Sequence, residues 1–512
     1  MRFVDKQEQG FDPYEYFDAK AIERRQKHGL PLSHFTDWPV TSVYVAGVQQ
    51  LVDSITVVTR WFNGVVVHAN HQQLAQVGQL AYVRKVELMD ALEGHVAEVT
   101  IPEDTTNYNY WYELRAKQLA VFGDSLLEDA GLNGAGVRIA VFDAGFRNAN
   151  VHPAFQHMRD NNRILKTWDF RKKDDNPYRS SSHGTSVLSN IGGMVRGLKL
   201  GLATEAEFLL ARTEVVMSER IREQEYWLAA AEWADKHGAD IINSSLGYTQ
   251  RNYFKHQLDG KTTIITRAAN MAASKGMLVV NSAGNEGADN WHMIGAPADA
   301  DSVLAIGGVK PEFGWHSDFS SFGPTADKRM KPNVSAFGTA AVAGAGGLRT
   351  ATGTSFSSPL VAGFAACIMQ AKPELTNMEL FYQIEQSATL YPYFDYAHGF
   401  GVPQAGHVLN KKLVPDTTLD VLVGKFAVEV QIRPEFLDSA SVVEDPDSLW
   451  MLPDPTSWNC MYYHVQEPNG VLAKYYVVEA GADPVTFRKL NYPLGTVLRA
   501  HYRGFTVEYV FE

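Results

Sequence analysis

Hydrophobic and polar positions along this chain follow three successive regimes. In the first, the β-branched runs Ser42–Val45 and Ile55–Trp61, and Val65-Val66-Val67-His68 after the turn dipeptide Asn63-Gly64, alternate with the helical stretches VAGVQQLVDS and HQQLAQVGQL and end on YVRKVELM. Strand, helix, strand, strand, helix, strand in about 50 residues predicts a small ferredoxin-like α/β unit. Residues 1–37 read as accessory to it: Asp12-Pro13 with Glu15 starts a helix, and Gly29 and Pro31 stop the helical AKAIERRQKH. In the second regime, VRIAVFD, ADIINSSL, GMLVVNSAG and SVLAIGGV are continuous apolar runs, separated by helical segments such as SERIREQEYWLAAAEWADKHG and PLVAGFAACIMQAK. Strands apolar on both faces predict a mostly parallel sheet covered by helices on both sides, a doubly wound α/β domain. After Lys411-Lys412 and Pro415 the period becomes 2: Phe426, Val428, Val430 and Ile432 alternate with Ala427, Glu429 and Gln431, and MYYHV and VLAKYYVV flank the turn Glu-Pro-Asn-Gly. The third regime predicts a small antiparallel β domain. The expected division is 1–104, 105–412 and 413–512, with no internal repeat and no low-complexity tract.

Charge and composition narrow the functions open to such a chain. Its 512 residues carry 46 Lys+Arg against 58 Asp+Glu, a net charge of −12. That balance offers no basic face for a phosphate backbone, so nucleic acid is not expected as a partner. Two cysteines form no disulfide framework, and Cys367 and Cys460 read as buried thiols. No apolar run reaches the ~18 residues of a transmembrane span. The start MRFVDKQEQGFDPYEYF has no leader-like apolar stretch, which leaves a cytosolic protein or an exported one with its leader trimmed.

Candidate chemistry sits in the α/β domain. VRIAVFDAG places Asp143 just past a buried strand, SSSHGTSVLSNIGG places His183 at a helix start, and GTSFSSPLVAGFAACI places Ser355 at the start of a long apolar helix. A serine hydroxyl is a poor nucleophile at neutral pH and needs an imidazole to take its proton. The imidazole needs a carboxylate to fix its tautomer and stabilise its cation. A helix N-terminus beneath Ser355 adds free N–H groups where an oxyanion would develop. MLVVNSAGNEG sets Asn285 after another buried strand, with an amide able to donate to the same oxyanion. Such residues converge in an open α/β sheet, where sites gather at the carboxyl ends of strands. Taken singly, Ser355 would be a helix cap and Asp143 a turn residue; the set points to nucleophilic catalysis, for which no cofactor is required. Competing chemistries lack their signatures. GTAAVAGAGGLRTATG has no G-K-[ST] ending, Gly134-Ala135-Gly136 precedes its strand instead of following it, and His68, His71, His152 and His157 lack H-E-x-x-H spacing.

The motifs D-x-G, H-G-T, A-G-N and G-T-S-x-S/A-x-P, in the order Asp, His, Ser, resemble those of the subtilases, the subtilisin-like serine peptidases, over about residues 125–410. FSSFGP (319–324) and KPNVSAFG (331–338) extend the resemblance. It implies a serine endopeptidase acting on polypeptides, with an extended peptide held along Ser245-Leu246-Gly247 by β-augmentation. The P1 side chain would then lie between that rim and Ala283-Gly284, over Gly295-Ala296 with Pro297 following. These small uncharged residues suggest a preference for large hydrophobic P1 residues. AIERRQKHGLPL, RWFNGVVV and YVRKVEL are similar to the propeptide of a secreted bacterial branch. That implies an intramolecular inhibitor and folding chaperone, self-cleaved near 90–106, and a secreted or cell-envelope protein whose leader has been trimmed. Ala144, Phe356, Asn333 and Phe337 depart from the family pattern, and none of them is expected to touch a triad atom. Asp174-Asp175 reads first as a solvated turn, with structural calcium, which many subtilases bind, as the other reading. The tyrosine-rich C-terminal strands read as packing before surface or glycan binding.

Overall fold

The computed structural model describes residues 1–6, 10–89, 108–214, 221–250, 252–409, 416–437 and 459–512. The N-terminal unit runs β1 (Arg2–Phe3), α1 (Pro13–Tyr16), α2 (Ala19–Lys27), α3 (Ser42–Gln49), β2 (Ser54–Thr59), β3 (Gly64–His68), α4 (His71–Gly78) and β4 (Val83–Lys85). Its antiparallel sheet has the order β2-β3-β1-β4, and Phe3, Val48, Val52, Val65 and Val77 fill the core between sheet and helices. The expected ferredoxin-like alternation is present, but the first strand is not where the β-branched pattern put it. Ser42–Val45 opens helix α3, and the first strand lies at Arg2–Phe3, ahead of α1 and α2. Packing of Val48 into the core overrides the local β preference of Ser-Val-Tyr-Val. The helical pair is therefore an insertion inside the unit, not an appendage before it. Its boundaries follow the expected cues: Asp12 accepts the Tyr14 N–H at 2.8 Å with Pro13 opening the helix, and Gly29 takes a φ of +62° just past α2. Asn63, at φ +48°, turns the chain into β3. The segment expected to carry self-cleavage, 90–106, and the linker after residue 409 lie outside the described residues.

The central domain runs α5 (Tyr108–Ala120), α6 (Asp124–Asp129), β5 (Arg138–Asp143), α7 (Gln156–Asp160), β6 (Ile164–Asp169), α8 (His183–Gly192), the hairpin β7 (Met194–Val195) and β8 (Leu198–Lys199), and β9 (Glu207–Arg212). It continues with α9 (Ile221–Lys236), β10 (Ile241–Ser244), α10 (Ile264–Ser274), β11 (Leu278–Ser282), β12 (Val303–Val309) and β13 (Val334–Phe337), then the hairpin β14 (Thr339–Gly344) and β15 (Gly347–Thr352), α11 (Thr354–Ala371), α12 (Asn377–Ser387) and α13 (Ala405–Leu409). Seven parallel strands form one sheet in the order β13-β12-β11-β10-β5-β9-β6. Alternate residues serve opposite layers. Ile139, Val141, Leu210 and Val280 join α8 and α11 in one core, while Ala140, Phe142, Leu209 and Val279 join α9 and α10 in the other. This explains why the strands read as unbroken apolar runs. The chain leaves β5 towards β6 and β9 on one side and returns to β10 on the other, so the order in which strands are added reverses between β5 and β10 while all stay parallel. The crevice past the carboxyl ends of these two strands is where an open α/β sheet binds its ligand. GTAAVAGAGGLRTATG forms the β14–β15 hairpin.

The C-terminal unit contains β16 (Leu419–Val423), β17 (Ala427–Ile432), β18 (Cys460–Gln466), β19 (Leu472–Glu479), β20 (Val485–Arg488), β21 (Val497–Tyr502) and β22 (Phe505–Val510). They pair in two antiparallel sheets, β16-β17-β20 and β19-β18-β21-β22. Val428, Val430 and Ile432 are buried as their alternation predicts. Phe426, expected to head that strand, instead sits in the turn before it and is 75% exposed. Cys367 is buried in α11, its thiol pushed up to about 12 by desolvation; Cys460 is only partly buried and accepts a hydrogen bond from Trp315 Nε1 at 3.2 Å. Among the described residues, no helix is long and apolar enough to cross a membrane.

Candidate active site

Asp143 ends β5, and its carboxylate is fully buried. One oxygen accepts the Ala144 N–H at 2.8 Å, and both lie 2.9 Å from His183 Nδ1. His183 is the first residue of α8, its N–H donating to Ser181 Oγ at 3.0 Å. Close approach of this helix to the Asp143 loop requires glycine: a Cβ on Gly184 would lie 2.6 Å from the Gly145 carbonyl oxygen and 2.9 Å from Asp143 Cβ. With Nδ1 tied to the carboxylate, the imidazole is left with Nε2 as its base.

Ser355 stands in the first turn of α11, just after Gly353 (φ +142°). Against the expectation that the departures from the family pattern stand clear of the triad, its neighbour Phe356 packs beside the imidazole, with ring centroids 5.5 Å apart, and Ala144 bonds Asp143 through its backbone. The Ser355 hydroxyl donates to the Ser245 carbonyl at 3.3 Å, a long contact, while Ser245 Oγ donates back to the Ser355 carbonyl at 3.0 Å. Asn285 lies exposed beyond β11. The Thr354 N–H can only donate, so the Asn285 atom it meets at 2.9 Å is the amide oxygen, which also accepts from Thr354 Oγ1 at 3.0 Å. The orientation of the amide is thereby settled, and Nδ2 is the group left to donate into the cleft. The four residues singled out from sequence thus lie at the carboxyl ends of β5 and β11 and the amino ends of α8 and α11.

The rim and pocket residues are joined by backbone bonds. The Leu246 carbonyl accepts Asn281 Nδ2 at 2.9 Å, and no atom lies within 4 Å of a Cβ built on Gly247. Tyr248 and Ala296 exchange backbone bonds of 2.9 and 3.0 Å, and the Gly295 N–H reaches the Ala283 carbonyl at 3.2 Å. The segments holding Ser245-Leu246-Gly247, Ala283-Gly284 and Gly295-Ala296 therefore form one continuous wall.

Sequence reasoning passed over three groups here. Glu286, directly after Asn285, is half-buried beneath Gly284: a Cβ on Gly284 would lie 2.5 Å from its Oε2, and Ser321 Oγ donates to it at 2.9 Å. Desolvation raises its pKa, with the Ser321 bond opposing. An acid in the loop A-G-N-E-G was the available signal. Thr354, which orients Asn285, was visible as the middle residue of G-T-S. Arg212 had no local signal. It lies buried on β9 opposite Asp143, its Nε donating to the Ala144 carbonyl at 3.0 Å and its other nitrogens to Asp169 at 2.8 Å and Ser180 Oγ at 3.1 Å. Asp174, half of the acidic pair, is held by Arg179 at 2.6 and 2.7 Å.

An α/β sheet with a buried carboxylate–imidazole pair, and a serine at a neighbouring helix start, defines the class of fold and site. Residues 134–402, more than half of the chain, match the subtilase family of peptidase S8, and the chain belongs to that family. Residues 1–104 match the Peptidase S8 propeptide domain of Bacteroidota. Similar proteins include subtilisin NAT of Bacillus subtilis subsp. natto, 32% identical over 267 residues, 51% of this chain and 63% of that protein. Subtilisin of Bacillus pumilus is also 32% identical, across 51% of this chain and 87% of its own length. The chain thus spans less than two thirds of the length of subtilisin NAT. Among solved structures, the S41 psychrophilic protease is 25% identical with a TM-score of 0.45, covering 56% of this chain and 97% of that one.

Proposed function

We propose that this chain is a serine endopeptidase that carries its own inhibitor. The observation that carries the reading is the fully buried Asp143 carboxylate with both oxygens 2.9 Å from His183 Nδ1. Asp143 holds Nδ1 of the imidazole, so Nε2 acts as the base. His183 takes the Ser355 proton as Oγ attacks the scissile carbonyl, then delivers it to the leaving amine. Asn285 Nδ2 and the Ser355 N–H receive the oxyanion. Water repeats the cycle on the acyl-enzyme, and no cofactor takes part.

Residues 1–104 serve as propeptide, 105–412 as the catalytic domain and 413–512 as a β appendage. Self-cleavage near 90–106 frees the cleft of an exported, secreted or cell-envelope enzyme. The wall of Leu246, Ala283, Gly284, Gly295 and Ala296 favours a large apolar P1 side chain; a P1 library in which Lys or Arg outperformed Phe and Leu would reverse that preference. A fluorophosphonate probe tests the reaction itself. Stoichiometric labelling at Ser355, abolished in Ser355→Ala, is the expected result. No labelling of the processed protein would leave a peptide-binding protein on a peptidase fold.

A further inference from the structure

One end of the C-terminal unit combines two features that the proposed peptidase reaction does not use. The β16–β17 turn presents Val423, Lys425 and Phe426, exposed by 57% and 75% at Val423 and Phe426. The connection from β20 to β21 presents Arg488, Leu490 and Leu494, with Leu490 98% and Leu494 76% exposed. The two loops meet, because the Lys489 N–H donates to the Phe426 carbonyl at 2.9 Å. Large apolar side chains held this far into water by ordered backbone mark an interaction surface.

Charge selects the partner. The protein as a whole carries −12, yet residues 421–428 and 484–507 contain no carboxylate while supplying Lys425, Arg488 and Lys489 to this tip. Lys425 lies over the Phe426 ring at 5.2 Å, and Lys489 faces the Tyr509 ring at 5.9 Å. Two nearby acids are turned to other cations, Asp420 to Arg433 and Glu508 to Arg499, each at 2.8 Å, while the exposed Glu512 follows Phe511, whose carbonyl accepts the Gly495 N–H beside Leu494. Glu429 lies in register opposite Thr486, set back from the turn. Apolar tips that insert at the headgroup boundary, ringed by cations that meet anionic headgroups, match the interface of a lipid bilayer.

We propose that this tip docks the protein on anionic phospholipid membrane, placing the peptidase cleft at the membrane surface. The test is co-sedimentation of the full chain, carrying Ser355→Ala to prevent self-digestion, with vesicles of phosphatidylcholine alone or mixed with phosphatidylglycerol. Expected is association with the phosphatidylglycerol vesicles about tenfold or more above that with phosphatidylcholine, weakened by salt. Leu490→Ser with Leu494→Ser should abolish it, and Lys425→Glu with Lys489→Glu should do the same. Because Lys425, Leu490 and Leu494 are exposed and Lys489 is half-buried only against Tyr509, these variants should keep the unfolding transition of the parent. Phe254→Ser, which removes an apolar side chain exposed by 63% on the α/β domain, should bind as the parent does. The proposal is overturned if the parent ignores anionic vesicles, as a surface built for a protein partner would. It is equally overturned if neutral and anionic vesicles bind alike, or if both double variants bind undiminished.

Discussion

The Thr354–Asn285 contact has a consequence at the scale of single residues. Because Thr354 holds the amide oxygen, Asn285→Ala removes both the donor that faces the cleft and the acceptor of the Thr354 N–H. We expect kcat to fall by about 10²–10³ with KM nearly unchanged, the value of one oxyanion donor, in steady-state assays of the processed enzyme. Asn285→Asp should fall at least as far, since its second oxygen would place negative charge where the oxyanion forms. Arg212 acts one step further out. It fixes the Ala144 carbonyl while the Ala144 N–H holds Asp143, so it is a positioning residue for the carboxylate. Arg212→Met leaves Asp169 buried without that cation and should cost about 3–5 kcal/mol of stability. The folded enzyme should lose kcat more than KM rises. Arg212→Lys, which keeps the charge, should recover part of both; equal kcat in Met and Lys variants would remove Arg212 from the positioning role. Asp143, His183, Asn285 and Ser355 were legible in sequence because each sits in a local motif at a strand end or helix start. Arg212 was not: its bonds to Asp169 and Ala144 span 43 and 68 residues, and no periodicity announces them.

Elements repeat the lesson with the insertion α1–α2. The strand it follows, Arg2–Phe3, is two residues long and carries no readable period. What the helices do also depends on distant partners. Arg24 donates to Asp235, to the Ala239 carbonyl and, at 3.1 Å, to the Lys275 carbonyl, gathering in the chain just past α9 and α10. Arg25 spans Asp37 at 3.0 Å and Asp235 at 2.8 Å, and Lys275 Nζ closes the network on Asp37 at 2.7 Å. All five side chains are buried. Three cations share two carboxylates, so removing one carboxylate leaves buried charge uncompensated, a loss of about 3–5 kcal/mol. Asp235→Ala should therefore loosen the N-terminal unit selectively. In the full chain carrying Ser355→Ala, limited proteolysis should cut the 10–38 segment far sooner than in the parent. Unchanged protection would mean that the sheet alone anchors the unit. The same unit also grips α9 through Glu232, which accepts from Thr59 Oγ1 and from the Arg60 and Trp61 N–H groups.

For the whole molecule, the informative contact is the seam between the α/β domain and the C-terminal unit. Leu390 and Tyr393 pack against Tyr462 there, and Tyr393 lies 4.9 Å from the His464 ring and 6.0 Å from His501. His501 bonds across the seam to the Thr389 carbonyl at 3.0 Å. On the other flank the His316 N–H donates to His398 Nε2 at 3.0 Å, while His398 Nδ1 faces the buried Asp395, which also accepts from Tyr393 Oη at 3.2 Å. Burial lowers His316 to about 3 and His464 and His501 each to about 4. Asp395 opposes this at His316 and His464, while Arg499 reinforces it at His464. The sign follows from the unfolded chain, where histidine binds a proton near pH 6.5. Above that pH these rings are neutral in both states and stability is unaffected. As the pH falls from about 6.5 to about 4 only the unfolded chain gains protons, so each histidine withdraws about 1.4 kcal/mol per pH unit. Thermal melts of the full chain carrying Ser355→Ala should show the C-terminal unit separating first in this window, reported by the near-ultraviolet signal of its tyrosines. His464→Gln should start lower at pH 7.5 and fall less steeply towards pH 4.5. A slope as steep as the parent's would mean that other groups drive the acid response.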